Sequence, residues 1–364
     1  MTSGERVGVL GTGLMGTSIA MAARAAGEDV RGFDPDPNVL ARAADRSGLR
    51  PGSSVVEAVN GASLVFVCTP VPSIAGVVAE ALSAATEAVV TDVGSVKSHV
   101  LGEVERTVQG GYGQRFVGGH PMGGSERSGP DGASSSVLDG IVWVLTPSPV
   151  TSDKATARLS GWVEAIGARP VVMDPFRHDR LVAMVSHLPQ VASTALMSLA
   201  ATEEAGEPDI LLLAAGGFRD LTRLAASSPR LWSDILLANR AQIAEAIDLY
   251  AKRLSEIRDM VIAGSARDVE RAFAEAKEAR LTLAAKPTVR TGVSVLQVAV
   301  PDRPGTLADL TACLGLAGVN IEDLQIVHSP EGGRGTVHLT VVSSAADEAV
   351  RALRERGFEP LRLA

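Results

Sequence analysis

The sequence is poor in cysteine, in basic charge and in long apolar runs, and each shortage excludes a class of protein. Its two cysteines, Cys68 and Cys313, lie far apart and outside any CxxC or Cys/His cluster, which excludes a disulfide framework and a zinc site. The formal net charge of −8 argues against a nucleic-acid partner, because phosphates require a basic face. The apolar runs fall short of the roughly 20 residues that cross a bilayer. We therefore expect no metal, no nucleic acid and no membrane.

The N-terminus and the length set the next expectations. Residues 1–5 lead directly into a strand-like run, without the basic region and apolar core of a signal peptide, so the predicted location is cytoplasmic. A chain of 364 residues exceeds one ordinary core, and its 46% apolar content is enough for several. The length therefore predicts two or three domains, and the pattern along the chain predicts three.

The first predicted domain, residues 1–174, alternates short apolar runs with helix-like stretches. This rhythm is typical of a parallel sheet covered by helices on both faces, and it predicts an α/β fold with a doubly wound sheet. The predicted strands are residues 6–10, 29–33, 64–68, 88–91, 115–117, 141–145 and 169–173.

Two further domains follow. Residues 175–286 lack strand-like runs and predict an all-helical domain, with helices at 181–201, 210–213, 231–253 and 269–281. After a linker around Pro287, residues 290–364 alternate as β, α, β, β, α with a possible last strand at 360–363. That order predicts a small ferredoxin-like sandwich.

A glycine-rich segment between the first predicted strand and an Ala-rich helix predicts a dinucleotide site. Its residues are Gly11, Thr12, Gly13, Leu14, Met15 and Gly16. Gly11 permits the tight turn, Gly13 lets the backbone approach a pyrophosphate, and Gly16 lets helix pack on strand. The helix N-terminus would then hold the anion, as in a Rossmann-type domain.

The second predicted strand ends at Asp34, eighteen residues after Gly16. A carboxylate there would bond the ribose hydroxyls and repel a 2′-phosphate, and Pro35-Asp36-Pro37 supplies no arginine to neutralise one. The predicted cofactor is therefore NAD. We also include Thr69, which follows the strand at 64–68, in the predicted cofactor site.

Several further segments are motif-like. They are Thr91-Asp92-Val93-Gly94-Ser95-Val96-Lys97, Gly118-Gly119-His120-Pro121-Met122-Gly123, Ser186-His187-Leu188-Pro189-Gln190, Gly216-Gly217-Phe218-Arg219-Asp220-Leu221-Thr222-Arg223, and residues 229–239. Together with the glycine-rich segment they closely resemble, in the same order and over residues 6 to about 280, the motifs of prephenate and arogenate dehydrogenases. The segments Asp302-Arg303-Pro304-Gly305 and Gly318-Val319-Asn320-Ile321 resemble an ACT domain. The resemblance implies a homodimer whose ACT domain binds an aromatic amino acid as effector.

The resemblance also implies a reaction and two catalytic residues. A ring carbon of prephenate or arogenate gives hydride to NAD, the ring carboxylate leaves as carbon dioxide, and a base accepts the hydroxyl proton. His120 matches the family's base, and an imidazole is neutral and accepting near neutral pH. Ser95 matches a serine that orients the histidine and the substrate, although it would also serve as N-cap of a helix starting at Val96.

Six residues make up the predicted substrate site. Arg219 and Arg223 are four apart and would share a helical face for the substrate carboxylates, and only Arg223 matches a family arginine. His187 is a predicted substrate or cofactor contact on a helix that Pro189 should kink. Gln190 stands where many relatives have histidine, which leaves the choice of substrate open.

The last two predicted substrate residues are Ser125 and Glu126, in a Gly- and Ser-rich loop at 123–136. Glu126 would meet the amino group of arogenate or remain solvated. His178 and Asp179 are expected to cap the first helix of the second domain or to support the site.

Two other functions stay open from the sequence. A β-hydroxyacid dehydrogenase would share the glycine motif and the helical domain, but it typically carries a catalytic lysine on the long helix. A non-catalytic amino-acid sensor would have little reason to keep Ser95, His120 and Arg223 together.

Overall fold

The computed structural model describes residues 4–108, 112–123, 129–204, 206, 209–285, 293–301, 303–328 and 334–363. The chain forms two units, Met1–Leu211 with Leu221–Ile262, and Leu212–Asp220 with Ala263–Ala364. Residues 263–285, which include the final helix of the predicted helical domain, fall in the second of these units, and the domain bounds at 175–286 stay a prediction.

The first unit contains an eight-stranded sheet in the order β3-β2-β1-β4-β5-β6-β7-β8. Its strands are β1 Arg6–Leu10, β2 Asp29–Phe33, β3 Arg50–Pro51, β4 Leu64–Val67, β5 Val89–Asp92, β6 Phe116–Pro121, β7 Val142–Thr146 and β8 Arg169–Val172. Pairing is parallel from β3 to β6, and β7 then runs antiparallel to β6. This confirms the predicted Rossmann-type doubly wound sheet. The carboxyl ends of β1 to β6 share one edge, where such folds bind ligands.

Helices cover both faces of this sheet: α1 Leu14–Ala25, α2 Pro37–Ser47, α3 Val55–Val59, α4 Val71–Ala84, α5 Ser98–Thr107 and α6 Asp153–Ala165. Strand β4 shows why, because its four residues are all buried. Leu64 and Phe66 enter the core on one face, and Val65 and Val67 enter the core on the other. A strand buried on both faces reads as a continuous apolar run, as this one does.

The helical segment contains α7 Pro175–Val182, α8 Leu188–Glu203, α9 Gly216–Thr222, α10 Pro229–Ala238, α11 Arg240–Ile262 and α12 Ala266–Ala285. A π-helical turn, Ala183–His187, joins α7 to α8 just before Pro189. Pro189 has no N–H for the helical ladder, and the wider turn accommodates this loss. Two predictions were wrong. Residues 210–213 form a turn, and the helix predicted at 231–253 is broken at Asn239.

The joined helix Pro175–Glu203 is 29 residues long, with a mean hydropathy of 1.2 over its most apolar window, and so meets the length and composition of a membrane span. The short apolar runs in the sequence did not predict a helix of this length and hydropathy. However, the helix buries His178, Asp179 and His187, and these side chains bond to other parts of the first unit. The helix therefore packs partly into the first unit, with 33% of its most apolar window buried.

The second unit contains the four-stranded antiparallel sheet β10-β11-β9-β12. Its elements are β9 Val293–Pro301, α13 Thr306–Leu316, β10 Ile321–His328, β11 Arg334–Val342, α14 Ala346–Glu355 and β12 Pro360–Leu363. Leu296, Val298, Leu310, Leu339 and Leu353 lie in its core. This confirms the predicted ferredoxin-like order.

Candidate active site

The glycine-rich turn between β1 and α1 has the geometry that a dinucleotide needs. Gly11 has a φ of +89°, and a Cβ there would lie 2.6 Å from the carbonyl oxygen of Cys68. A Cβ on Gly16 would lie 2.0 Å from the carbonyl oxygen of Gly11, so helix and turn pack without room for a side chain. Gly13 is different, because a Cβ there meets nothing within 4 Å. The open space beside Gly13, at the N-terminus of α1, is where a pyrophosphate would lie.

Two polar residues complete this cofactor site. Asp34, after β2, accepts a hydrogen bond from the Thr12 amide at 2.7 Å and one from its hydroxyl at 3.3 Å. Thr69, after β4, has a buried hydroxyl oxygen without a partner among the described residues. An unpartnered buried hydroxyl next to the turn fits a site that a ligand completes. The residues therefore fit NAD.

His120 lies at the carboxyl end of β6, where it begins a chain of hydrogen bonds. Its Nδ1 is 2.8 Å from Nε2 of His178, and Nδ1 of His178 is 2.8 Å from Oδ1 of Asp179. Burial, followed by His178, Lys97 and His187, lowers the pKa of His120 well below 6.5. His120 is therefore neutral at neutral pH, as a base must be.

Asp179 also caps α5. Its Oδ1 accepts from the Lys97 amide and its Oδ2 from the Ser98 amide, both at 2.8 Å. Of the two expectations for His178 and Asp179, capping of the first helix of the helical segment was wrong, because Asp174 is the N-cap of α7. The bonds of the pair to His120 and to the start of α5 agree with the other expectation, support of the site. The alternative that Ser95 caps a helix at Val96 was also wrong.

The buried ion pair between Lys97 and Asp92 was not predicted as part of the site. The two side chains have no solvent exposure, and Nζ of Lys97 donates to Oδ2 of Asp92 and, at 2.6 Å, to the carbonyl of Gly119. Asp92 accepts in addition from the amides of Gly94 at 2.9 Å and Gly119 at 3.1 Å. The pair thus fixes the backbone immediately before His120. The sequence signal that could have indicated this pair is an acidic residue at the end of a buried strand, followed five residues later by a lysine.

His187 lies on the π-helical turn and is 1% exposed. The side-chain nitrogen of Asn239 is 2.9 Å from the carbonyl of Asp179, to which it donates, and 3.2 Å from Nδ1 of His187. Burial lowers the pKa of His187 to about 4, although Asp179 opposes the shift. Neutral His187 therefore accepts at Nδ1 and carries its proton on Nε2. That buried nitrogen has no partner among the described residues, which suits a ligand contact.

Gln190 has a role that differs from the predicted substrate contact. Its Nε2 donates to the carbonyl of Leu224 at 2.8 Å, and its Oε1 lies 3.4 Å from the hydroxyl of Ser227, which donates to it. On the same helix, Ser193 accepts from the Ala225 amide at 3.1 Å. Both ends of the Gln190 amide are therefore engaged in holding the turn after α9.

The end of α9 bears on the prediction that Arg219 and Arg223 share one helical face. Helix α9 ends at Thr222, and Arg223–Ala226 is a 3₁₀ turn whose backbone bonds to α8. Arg223 therefore lies just outside the α-helix that carries Arg219.

Three predicted residues remain. Ser95 lies in the loop between β5 and α5, three residues past the end of the strand, and the described residues offer its hydroxyl no hydrogen bond. Ser125 and Glu126 lie outside the described residues.

A dinucleotide site and a neutral histidine at one edge of the same sheet are what a nicotinamide-dependent dehydrogenase requires, and the first unit belongs to this class. Comparison with known proteins narrows it. Residues 19–172 match the nucleotide-binding domain of prephenate dehydrogenase, residues 174–275 match its dimerization domain, and residues 294–357 match an ACT domain. The chain belongs to the prephenate dehydrogenase family, and its cofactor is NAD.

Individual relatives support the assignment to this family. The chain is 32% identical to a prephenate dehydrogenase of Bacillus subtilis over 94% of this chain and 93% of that protein. It is 33% identical to a cyclohexadienyl dehydrogenase of Zymomonas mobilis, over 80% of this chain and 100% of that protein.

Two solved structures are similar in fold. A prephenate dehydrogenase from A. aeolicus, in complex with hydroxyphenyl propionate and NAD+, aligns with a TM-score of 0.72 at 28% identity, covering 77% of this chain and 98% of its own. An arogenate dehydrogenase from Synechocystis aligns with a TM-score of 0.67 at 28% identity, covering 76% and 99%.

Proposed function

We propose that this enzyme converts prephenate to 4-hydroxyphenylpyruvate, with His120 as the general base. The observation that carries the proposal is the bonding of His120. Its Nδ1 is engaged by His178, while among the described residues nothing bonds its Nε2. A neutral imidazole at the ligand edge of the sheet, with one ring nitrogen available, is suited to accept the proton of a substrate hydroxyl.

The chain's own residues divide the remaining work. Bound NAD supplies the hydride acceptor. His120 takes the hydroxyl proton as the carbonyl begins to form, and loss of carbon dioxide makes the ring aromatic. The Nε2 proton of His187 and the guanidinium of Arg223 are proposed to bind substrate carboxylates. Ser95 is proposed to orient the substrate hydroxyl.

The alternative substrate is arogenate, which carries an amino group where prephenate carries a keto oxygen. The A. aeolicus and B. subtilis relatives are named for prephenate and the Synechocystis relative for arogenate. Purified protein is supplied with NAD and either substrate, and NADH is followed by its absorbance. A higher kcat/KM on prephenate supports the proposal, whereas a higher value on arogenate replaces it. Silence on both refutes it.

His120→Asn tests the base directly. We expect turnover to fall by about 100-fold or more with nearly unchanged NAD affinity, the usual scale for loss of a general base. His99→Asn is the matched control, because His99 is exposed on α5. Unchanged turnover in the His120 variant would remove this residue from the mechanism.

The same proposal includes a cytoplasmic homodimer. Helix α11 leaves Leu249, Leu254, Val261 and Ile262 between 50% and 76% exposed, which is costly for apolar side chains in water. The matched dimerization domain includes this helix. Light scattering of the eluting protein should give twice the chain mass, and a monomer would refute the dimer.

The effector is proposed to bind in the second unit, in a cavity of about 290 Å³. Arg303 and Arg356 line it and suit a carboxylate, and Asp309 suits an ammonium group. Thr306 also lines the cavity, and its buried hydroxyl oxygen has no partner among the described residues. These groups fit a free amino acid, with tyrosine or phenylalanine the natural feedback effectors.

Inhibition by tyrosine and by phenylalanine tests this site. Arg303→Ala should raise the inhibitory concentration of the active effector about tenfold or more without changing kcat. Arg354→Ala is the control, because Arg354 is exposed on α14 and does not line the cavity. Equal inhibition of the wild type and both variants would place the effector elsewhere.

A further inference from the structure

We propose that His178 and Asp179 form a positioning pair that fixes His120 in one tautomer and shares its positive charge during the reaction. The pair would hold the proton of neutral His120 on Nδ1 and leave the lone pair of Nε2 for the substrate. This inference rests on the proposed role of His120 as base, and it concerns two residues that do not touch the substrate.

Asp179 determines which atom donates in the hydrogen bond with His178. Burial acts to raise the pKa of this carboxyl, but bonds from His178 and from the amides of Lys97 and Ser98 together lower it. Asp179 is therefore ionised at neutral pH and can only accept. Nδ1 of His178, 2.8 Å away, must donate to it.

His178 in turn sets the direction of its bond to His120. In its neutral form, which the proposal includes, His178 donates from Nδ1 and therefore accepts at Nε2. His120 is then the donor in the 2.8 Å contact between this nitrogen and its own Nδ1. The lone pair of His120 is thereby placed on Nε2. Without the pair, an imidazole would exchange between two tautomers, one of which presents a proton where a base is needed.

Charge sharing follows when His120 reacts. As the O–H bond of the substrate breaks, an N–H bond forms at Nε2 of His120. The Nδ1 proton of His120 can then move to Nε2 of His178, and the resulting imidazolium faces the Asp179 carboxylate. This acceptance matters because the other groups near His120 do not favour a cation: Lys97 is itself cationic and paired with Asp92, and His187 is neutral.

The tautomers can be read without activity. Nitrogen-15 NMR of the full-length enzyme with labelled histidine distinguishes protonated from unprotonated ring nitrogens. The six histidines give few signals, and His120→Asn and His178→Asn assign the two of interest. We expect both residues to carry the proton on Nδ1 at neutral pH. A proton on Nε2 of His120, or an even mixture, overturns the proposal whatever the kinetics show.

Two substitutions at His178 separate its two bonds. Asn can place its amide where Nδ1 was and keep a donor to Asp179, but it does not reach His120. Gln can place an amide oxygen where Nε2 was and keep an acceptor for His120, but it cannot take up a proton. Thermal unfolding and the KM for NAD report whether either variant is misfolded.

We expect His178→Asn to lower kcat about 100-fold, because His120 is then no longer held in one tautomer. We expect His178→Gln to lower kcat about tenfold, because it removes only the sharing of charge with His120. In His178→Gln the imidazole that helps to lower the pKa of His120 is removed, so that pKa rises and the acidic limb of the rate profile moves to higher pH. Equal losses in the two variants with an unmoved acidic limb would show a merely structural role. Activity retained in His120→Asn would instead refute the base, and leaves the NMR result as the independent test of the pair.

Discussion

Removal of the Lys97 ammonium tests the buried ion pair beneath the site. In Lys97→Met the Asp92 carboxylate stays buried with only two backbone donors, the amides of Gly94 and Gly119. The carbonyl of Gly119 also loses its partner. Breaking a fully buried pair by removing one member costs about 3–5 kcal/mol. We therefore expect the free energy of unfolding of the first unit to fall by that amount.

Urea unfolding followed by tryptophan fluorescence is the assay, because all three tryptophans, Trp143, Trp162 and Trp232, lie in the first unit. Adding Asp92→Asn to Lys97→Met removes the uncompensated charge. We expect this double variant to recover about 1 kcal/mol or more relative to the sum of the single effects, the scale of coupling between contacting groups.

Lys154→Met serves as the control, because Lys154 is exposed on α6, and its effect should stay within about 0.5 kcal/mol. A loss below about 1 kcal/mol in Lys97→Met would show that the pair does not carry the stability assigned to it. Strict additivity of the Lys97 and Asp92 substitutions would refute their coupling.

Three further outcomes follow from the site geometry. Gly13→Ala should leave the melting temperature unchanged but raise the KM for NAD about tenfold or more. Gly16→Ala should lower the melting temperature as well, because its Cβ would lie 2.0 Å from the Gly11 carbonyl oxygen. NAD binding at wild-type strength in Gly13→Ala would contradict the pyrophosphate site. Burial lowers the pKa of His187 to about 4, so the unfolded chain binds its proton near pH 6.5 while the folded chain does not. The wild type should therefore lose about 3 kcal/mol relative to His187→Asn as the pH falls from about 6.5 to about 4, and a constant difference would refute the neutral, buried state. Arg223→Ala should mainly raise the KM for prephenate, and normal substrate saturation would exclude a carboxylate contact.

The cofactor site was predictable because its signals are local. The strand Arg6–Leu10, the glycine spacing and Asp34 follow one another within a single β-α-β unit, and the structure reproduces the first two strands as predicted. His120 was predictable for a similar reason, since it ends a strand and the resemblance assigns it a role.

The supporting residues were not predictable in the same way. Asp179 lies 82 residues from Lys97, whose amide donates to it, and the sequence could not decide between capping the nearest helix and supporting the site. Gln190 was predicted to meet the substrate, yet it holds a turn 34 residues away. The type of a polar side chain determines whether it can donate or accept hydrogen bonds, but its neighbours in the sequence do not determine its partner.

The sequence by itself therefore determined the cofactor, the family and the identity of the proposed base, because strand periodicity, glycine spacing and motif order are properties of contiguous residues. Only the tertiary structure decided which nitrogen of His120 is held and by what. Packing brings α7 against the start of α5 and the end of β6, and a proton's place on an imidazole depends on neighbours within about 3 Å, whatever their distance along the chain.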